Sequence, residues 1–107
     1  MVDLRGIFQE IDSAVTSNSD VIEGVNAVYE FVLDNDGTTE TYQLVLDGEN
    51  SYAAQGNEKE ADCTLMMSGE DFKEMVEGNL NGTKAFMSGR LKIKGNMGLA
   101  LKLQQIL

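Results

Sequence analysis

Two runs of alternating residues, joined by Asn35-Asp36-Gly37, constrain this chain more than any other feature. From Val25 to Asp34, the residues Val25, Ala27, Tyr29, Phe31 and Leu33 fall on one face. Asn26, Val28, Glu30, Val32 and Asp34 fall on the other. A period of two is a β-strand. Thr41 to Asp47 is the return strand, with Tyr42, Leu44 and Leu46 pointing one way. Asn, Asp and Gly tolerate positive φ, so the joint between the runs is a hairpin turn. Asp47-Gly48 makes a second turn and Ser51–Gln55 a short third strand. Turns this short imply an antiparallel meander. Ala61–Met67 is a fourth strand, with Cys63, Leu65 and Met67 on one face.

Helices bracket these strands. Leu4, Ile7, Phe8, Ile11 and Val15 repeat at helical spacing, so residues 3–17 form an amphipathic helix that Asp3 can cap. A polar loop follows from Ser17 to Asp20. Ser68 caps a second helix, with Phe72, Met75 and Val76 on its apolar face. Thr83–Met87 is a short helical turn.

The last segment differs in charge from everything before it. Thr83 to Leu107 holds Lys84, Arg90, Lys92, Lys94 and Lys102 and no acid. The preceding residues carry all 18 acids and three bases, a formal charge of −15 against +5. Arg90, Lys92 and Lys94 alternate with Leu91 and Ile93, giving a fifth strand with one basic and one apolar face. Asn96 caps the final helix. There Met97, Leu99, Ala100, Leu101, Leu103, Ile106 and Leu107 span roughly 220° of the wheel, where a surface helix needs only about 100°. The surplus must touch something besides one core face. Gln104 falls inside this arc, and a buried amide needs a partner.

The expected class is α+β: a five-stranded, mainly antiparallel sheet covered by helices, in the order α-β-β-β-β-α-α-β-α. A chain of 107 residues is one domain, residues 1–107. One cysteine, Cys63, excludes an internal disulfide and suits a reducing compartment. No apolar run approaches the ~20 residues of a membrane span. A pI near 4.2 argues against nucleic acid as a partner.

The chain has no histidine, which removes the usual general base and the Ser–His and Cys–His pairs. Neither GxGxxG nor a P-loop occurs. The carboxylate groups Glu58/Glu60/Asp62 and Glu70/Asp71/Glu74/Glu77 read as solvated surface charge, and Cys63 as an inert small hydrophobe. The expectation is a non-enzyme without cofactor or metal. The wide apolar arc and the six methionines point to an apolar ligand, with core packing and dimerisation as the ordinary alternatives.

The run GRLKIKGNMGLALKLQ (89–104), preceded by AFMS, resembles the C-terminal signature of the sterol carrier protein type 2 family, the non-specific lipid-transfer proteins. The resemblance extends through ADCTLMMSGEDFKEMVEGNLNGTKAF (61–86) and VNAVYEFVL (25–33), covering nearly the whole chain. It implies a tunnel between the sheet and the C-terminal helices that holds a fatty acid, fatty acyl-CoA or sterol. It further implies a lining of Phe31, Phe72, Met75, Val76, Thr83, Phe86, Met87, Leu91, Ile93, Met97, Leu101 and Gln104. Relatives often carry tryptophan where Phe31 stands, and some carry glutamine where Thr83 stands.

Lys84, Arg90, Lys92, Lys94 and Lys102 are either solubilising charge or contacts to an anionic head group or membrane. The competing reading is an accessory domain that dimerises through the last helix, or docks on a lipid enzyme, without carrying lipid itself. A monomer or weak dimer is expected. The chain ends at Gln105-Ile106-Leu107 without a peroxisomal tripeptide of the SKL type, and Met1 stands just before the first helix. The expectation is therefore a stand-alone cytoplasmic protein rather than a domain cut from a longer chain.

Overall fold

The computed structural model describes residues 2–17 and 26–106, and of residues 17, 49 and 104–106 the backbone alone. The elements are α1 (Leu4–Ser17), β1 (Asn26–Asn35), β2 (Thr38–Asp47), β3 (Tyr52–Gln55), β4 (Cys63–Ser68), α2 (Gly69–Val76), α3 (Gly82–Met87), β5 (Lys92–Gly95) and α4 (Met97–Ile106). A 3-10 turn, Gly48–Asn50, separates β2 from β3. The order is the expected one. The expected contribution of Val25 and the polar loop after Ser17 lie outside the described residues.

The hairpin is longer and tighter than the alternation alone suggests. β1 and β2 pair from Asn26↔Asp47 to Asn35↔Thr38, leaving Asp36 and Gly37 as a two-residue turn. Both have positive φ, 58° and 92°, which matches the right-handed twist of the strands they join.

The five strands form one sheet in the order β3-β2-β1-β4-β5. Three pairings are antiparallel, and β1 with β4 is parallel, with Tyr29↔Cys63 and Leu65↔Phe31 in register. The parallel pair arises because the chain crosses over the sheet's outer face between β3 and β4. Gln43 fastens that crossing: its Nε2 donates to the Lys59 carbonyl at 2.7 Å and its Oε1 accepts from the Lys59 amide at 3.2 Å. A parallel neighbour needs a crossover of this kind, whereas a hairpin cannot deliver one.

The inner face carries the alternation read from the sequence. Ala27, Tyr29, Phe31, Leu33, Tyr42, Leu44, Leu46, Cys63, Leu65 and Met67 are all buried there. Helix α1 covers one end of this face with Leu4, Phe8, Ile11 and Val15. Phe8 is the hub of an aromatic cluster. It stacks on Tyr42 at 4.2 Å and on Phe72 at 5.1 Å, and meets Phe31 edge-on at 5.4 Å. Caps fall where the sequence places them. Gly6 N–H donates to Asp3 Oδ1, Asp71 N–H to Ser68 Oγ and Leu99 N–H to Asn96 Oδ1.

Two buried phenols make the fold sensitive to alkali. Burial, with the negative field of Cys63 and Asp62, pushes Tyr29 up to about 12. Burial and the carboxylate of Glu40, which accepts its proton at 2.7 Å, push Tyr42 up to about 12. Unfolded tyrosine ionises near pH 10, so between about pH 10 and 12 the unfolded chain releases protons that the folded chain keeps. Stability fully present below pH 10 therefore drains away towards pH 12, by about 2–3 kcal/mol per ring. Urea midpoints measured across that range should fall steadily, and Tyr42→Phe should remove about half of the slope.

Gly95 closes β5 at the point of closest backbone approach. Its φ is +94°, and a β-carbon there would stand 2.5 Å from the Asp62 carbonyl oxygen. Strain and clash act together, so Gly95→Ala should cost about 2–3 kcal/mol, read as a lowered thermal midpoint. Gly98→Ala in the first turn of α4 needs no positive φ and is the milder contrast: its β-carbon would stand 3.2 Å from the capping Asn96 Oδ1, a side-chain atom that can give by a few tenths of an ångström, so it should cost less than Gly95→Ala, under about 1 kcal/mol.

Candidate ligand-binding site

The sheet is covered unevenly. Helix α1 seals one end, while α2, α3 and α4 stand over β4 and β5 without closing on each other. A cavity of about 220 Å³ remains between them. Its floor is Leu65 of β4, Ile93 of β5 and Leu91 just before β5. Leu65 and Ile93 are register partners, which puts them side by side. Met75 from α2, Leu80 from the following loop, and Gly82, Thr83 and Phe86 from α3 form one wall. Met97, Ala100, Leu101 and Leu103 from α4 form the other. Asn81 and Thr83 are the polar side chains of the lining, and Asn81 Oδ1 already caps α3 through the Thr83 and Lys84 amides.

Helix α4 resolves the surplus in its apolar arc. Ala100 and Leu103 are buried against the core. Met97 and Leu101 remain 44% and 63% exposed and stand across the cavity mouth with Phe86, which is 42% exposed. The helix is tethered to β1, where the Tyr29 hydroxyl donates to the Leu99 carbonyl at 2.7 Å. Among the described residues no fully buried side-chain polar atom lacks a hydrogen bond.

Seven of the residues expected to line a tunnel line this cavity: Met75, Thr83, Phe86, Leu91, Ile93, Met97 and Leu101. Four do not. Phe31 and Phe72 are fully buried in the aromatic cluster under α1, because the cluster takes the middle of the inner face before the cavity begins. Val76 packs against the core beside them. Met87 is 80% exposed and is not part of the lining. The side chain of Gln104, and the ends of the arc at Ile106 and Leu107, lie outside the described residues. Leu65, Leu80, Ala100 and Leu103 also line the cavity, though the sequence marks Leu65, Ala100 and Leu103 only as parts of apolar faces. Leu80 had a signal, being a lone apolar residue in a polar loop.

The basic residues divide. Lys92 and Lys94 pair with Met66 and Thr64 and share their face, the outer side of the sheet, opposite the cavity. Arg90 is not free for an anionic head group, because its guanidinium grips the Asp71 carboxylate through both Nε and Nη2. That pairing holds Asp71 below the usual carboxylate range, so Asp71 is an anchored residue rather than freely solvated charge. Lys84 and Lys102 are exposed on the two helices that border the mouth.

Cys63 is buried on its strand and burial pushes its thiol up, as an inert hydrophobe requires. Among the described residues no group of acidic or cysteine side chains is placed to hold a metal, and no helix is long and apolar enough to cross a membrane.

Comparison with known proteins places the architecture. A hydroxysteroid dehydrogenase-like protein 2 of Xenopus tropicalis is 36% identical over 104 residues, covering 97% of this chain and 24% of its own length. This chain thus spans about a quarter of that relative. The apo form of sterol carrier protein 2 from Yarrowia lipolytica superposes with a TM-score of 0.82 at 32% identity, over 94% of this chain and 85% of its own. The palmitated SCP2L2 of Aedes aegypti shares the fold at 21% identity, with a TM-score of 0.78 over 94% of this chain and 89% of its own. The SCP-2 sterol transfer family model matches residues 8–107, and this chain belongs to that family.

Proposed function

We propose that this chain is a non-catalytic, cytoplasmic carrier that shields a single acyl chain, as a fatty acid or fatty acyl-CoA, between its sheet and its C-terminal helices. The observation that carries the reading is the 220 Å³ apolar void, open at a mouth bordered by Phe86, Met97 and Leu101. A protein of this size keeps a void at a cost, since close packing is the rule in protein interiors. The family supports the reading, and so does a same-fold Aedes aegypti protein solved in palmitated form.

Volume favours a flexible chain over a rigid one. A cavity of about 150 Å³ takes one benzene, so 220 Å³ corresponds to about nine carbons. Methionines 75 and 97 can swing to admit more, and a longer chain can leave through the mouth. Fused sterol rings cannot bend and require the walls to move apart. Each methylene that enters contributes about 0.8 kcal/mol, near fourfold in affinity. Nine give about 7 kcal/mol before association costs, with no polar contact needed.

The test is a chain-length series of fatty acids displacing a fluorescent fatty acid. Saturable 1:1 binding is expected, rising near fourfold per carbon to about ten carbons and flattening beyond, with a fluorescent sterol weaker than palmitate. No saturable uptake of any chain length sinks the carrier. A stable dimer by light scattering with no uptake would favour the accessory-domain reading, in which the mouth is a protein contact.

A further inference from the structure

The described methionines stand in different surroundings. Met67 is 7% exposed in the core, and Met66 is half-buried on the outer face of the sheet. Met75 is half-buried in the cavity wall. Met87 is 80% exposed and lies outside the lining. Among the described methionines Met97 alone is both exposed, at 44%, and part of the lining, where it shares the mouth with Phe86 and Leu101.

Packing does not require a thioether at that position. Leucine has nearly the same volume, and Leu101 already serves at the same mouth. What methionine adds is chemistry: peroxide converts an exposed thioether to a sulfoxide, polar where its parent was apolar. Cys63 does not compete for the oxidant, because it is 1% exposed and burial pushes its thiol up, away from the reactive thiolate. The chain has no tryptophan and no histidine to draw the oxidant off.

We propose that Met97 is a reversible oxidation site that gates the cavity: its sulfoxide hinders the acyl chain, and a bound acyl chain shields its thioether. The inference rests on the carrier reading and adds a control at the same mouth. The sulfur lone pair attacks the terminal oxygen of hydrogen peroxide or an alkyl hydroperoxide. The S–O bond forms as the O–O bond breaks. The departing oxygen takes the proton of the transferred one and leaves as water or an alcohol, so the sulfur is oxidised and the peroxide reduced. The sulfoxide oxygen then holds water at the mouth, and an entering chain must strip that water away. Keeping about two methylenes from burial, near fourfold each, weakens binding about tenfold. A methionine sulfoxide reductase returns the thioether and with it the apolar wall. Met87 oxidises without touching the lining, so it serves as the internal reference.

Treatment with hydrogen peroxide, of protein empty or saturated with palmitate, tests this, with sulfoxide read at each methionine by peptide mass spectrometry. Met87 should oxidise first and equally fast in both samples. Met97 should follow it in the empty protein, and slow at least about tenfold once palmitate covers it. Oxidised wild type should bind a fluorescent fatty acid about tenfold more weakly, and sulfoxide reductase should restore it. Met97→Leu, whatever affinity it starts from, should keep that affinity through peroxide. Met87→Leu should lose affinity as wild type does. The proposal is overturned if Met97 in the empty protein oxidises no faster than buried Met67, if palmitate leaves its rate unchanged, or if peroxide weakens Met97→Leu as much as wild type. Wild type that binds equally well with Met97 fully oxidised also overturns it, and leaves the carrier standing. No fatty-acid uptake by untreated protein removes the carrier reading and this gate with it.

Discussion

Phe72→Ala should cost about 3–5 kcal/mol of stability, most of what a domain of this size possesses. Phe72 is fully buried, stacks on Phe8 at 5.1 Å and meets Phe31 at 5.2 Å. Removing its ring takes away the transfer free energy, leaves a hole among rings that cannot collapse, and deletes two aromatic contacts worth about 0.5–1.5 kcal/mol each. Urea unfolding followed by far-ultraviolet circular dichroism is the measurement. Phe86→Ala is the matched control. Its ring is 42% exposed at the mouth, so its loss should cost under about 1 kcal/mol while weakening acyl-chain binding. A Phe72→Ala protein that keeps its stability and loses ligand affinity would return Phe72 to the cavity wall and refute the division drawn here.

That division also shows what the sequence can and cannot express. Alternation along β1 and β4 places Phe31 and Leu65 on the inner face, and both are there. It says nothing about which helix stands over a given stretch of that face. Phe31 lies under α1 and Leu65 under α4, and the packing of non-local helices decides that. The direction of β4 was hidden for a similar reason. Short turns disclose antiparallel neighbours, but the pairing of β4 with β1 depends on a crossover held by Gln43, a residue no periodicity marks. Helix caps were legible because a cap is local: Asp3, Ser68 and Asn96 act within three residues of themselves. The basic alternation of β5 was legible as a strand and misleading as a site. The rule that puts Leu91 and Ile93 into the cavity sends Lys92 and Lys94 to the far side of the sheet.

Leu101→Glu should reduce acyl-chain affinity at least a hundredfold and leave the fold intact. Leu101 is 63% exposed, so its replacement buries no charge in the empty protein and should shift stability by about 0.5 kcal/mol or less. An occupant changes that. An acyl chain passing between Leu101 and Phe86 strips water from whatever stands there, and a carboxylate without a partner resists by several kcal/mol. Lys102 follows it on the helix and sits about 100° away, too far round to neutralise it across the mouth. Leu101→Ala, which removes contact without adding charge, should cost only about tenfold, and Leu101→Gln should fall between. Leu103→Glu makes the contrast complete: at 2% exposure it buries its charge whether or not lipid is present, and the protein should unfold. Titration of a fluorescent fatty acid against the three Leu101 variants reads the ordering directly. Should Leu101→Glu bind as tightly as wild type, the chain does not pass this mouth, and the cavity between α3 and α4 is not where lipid rides.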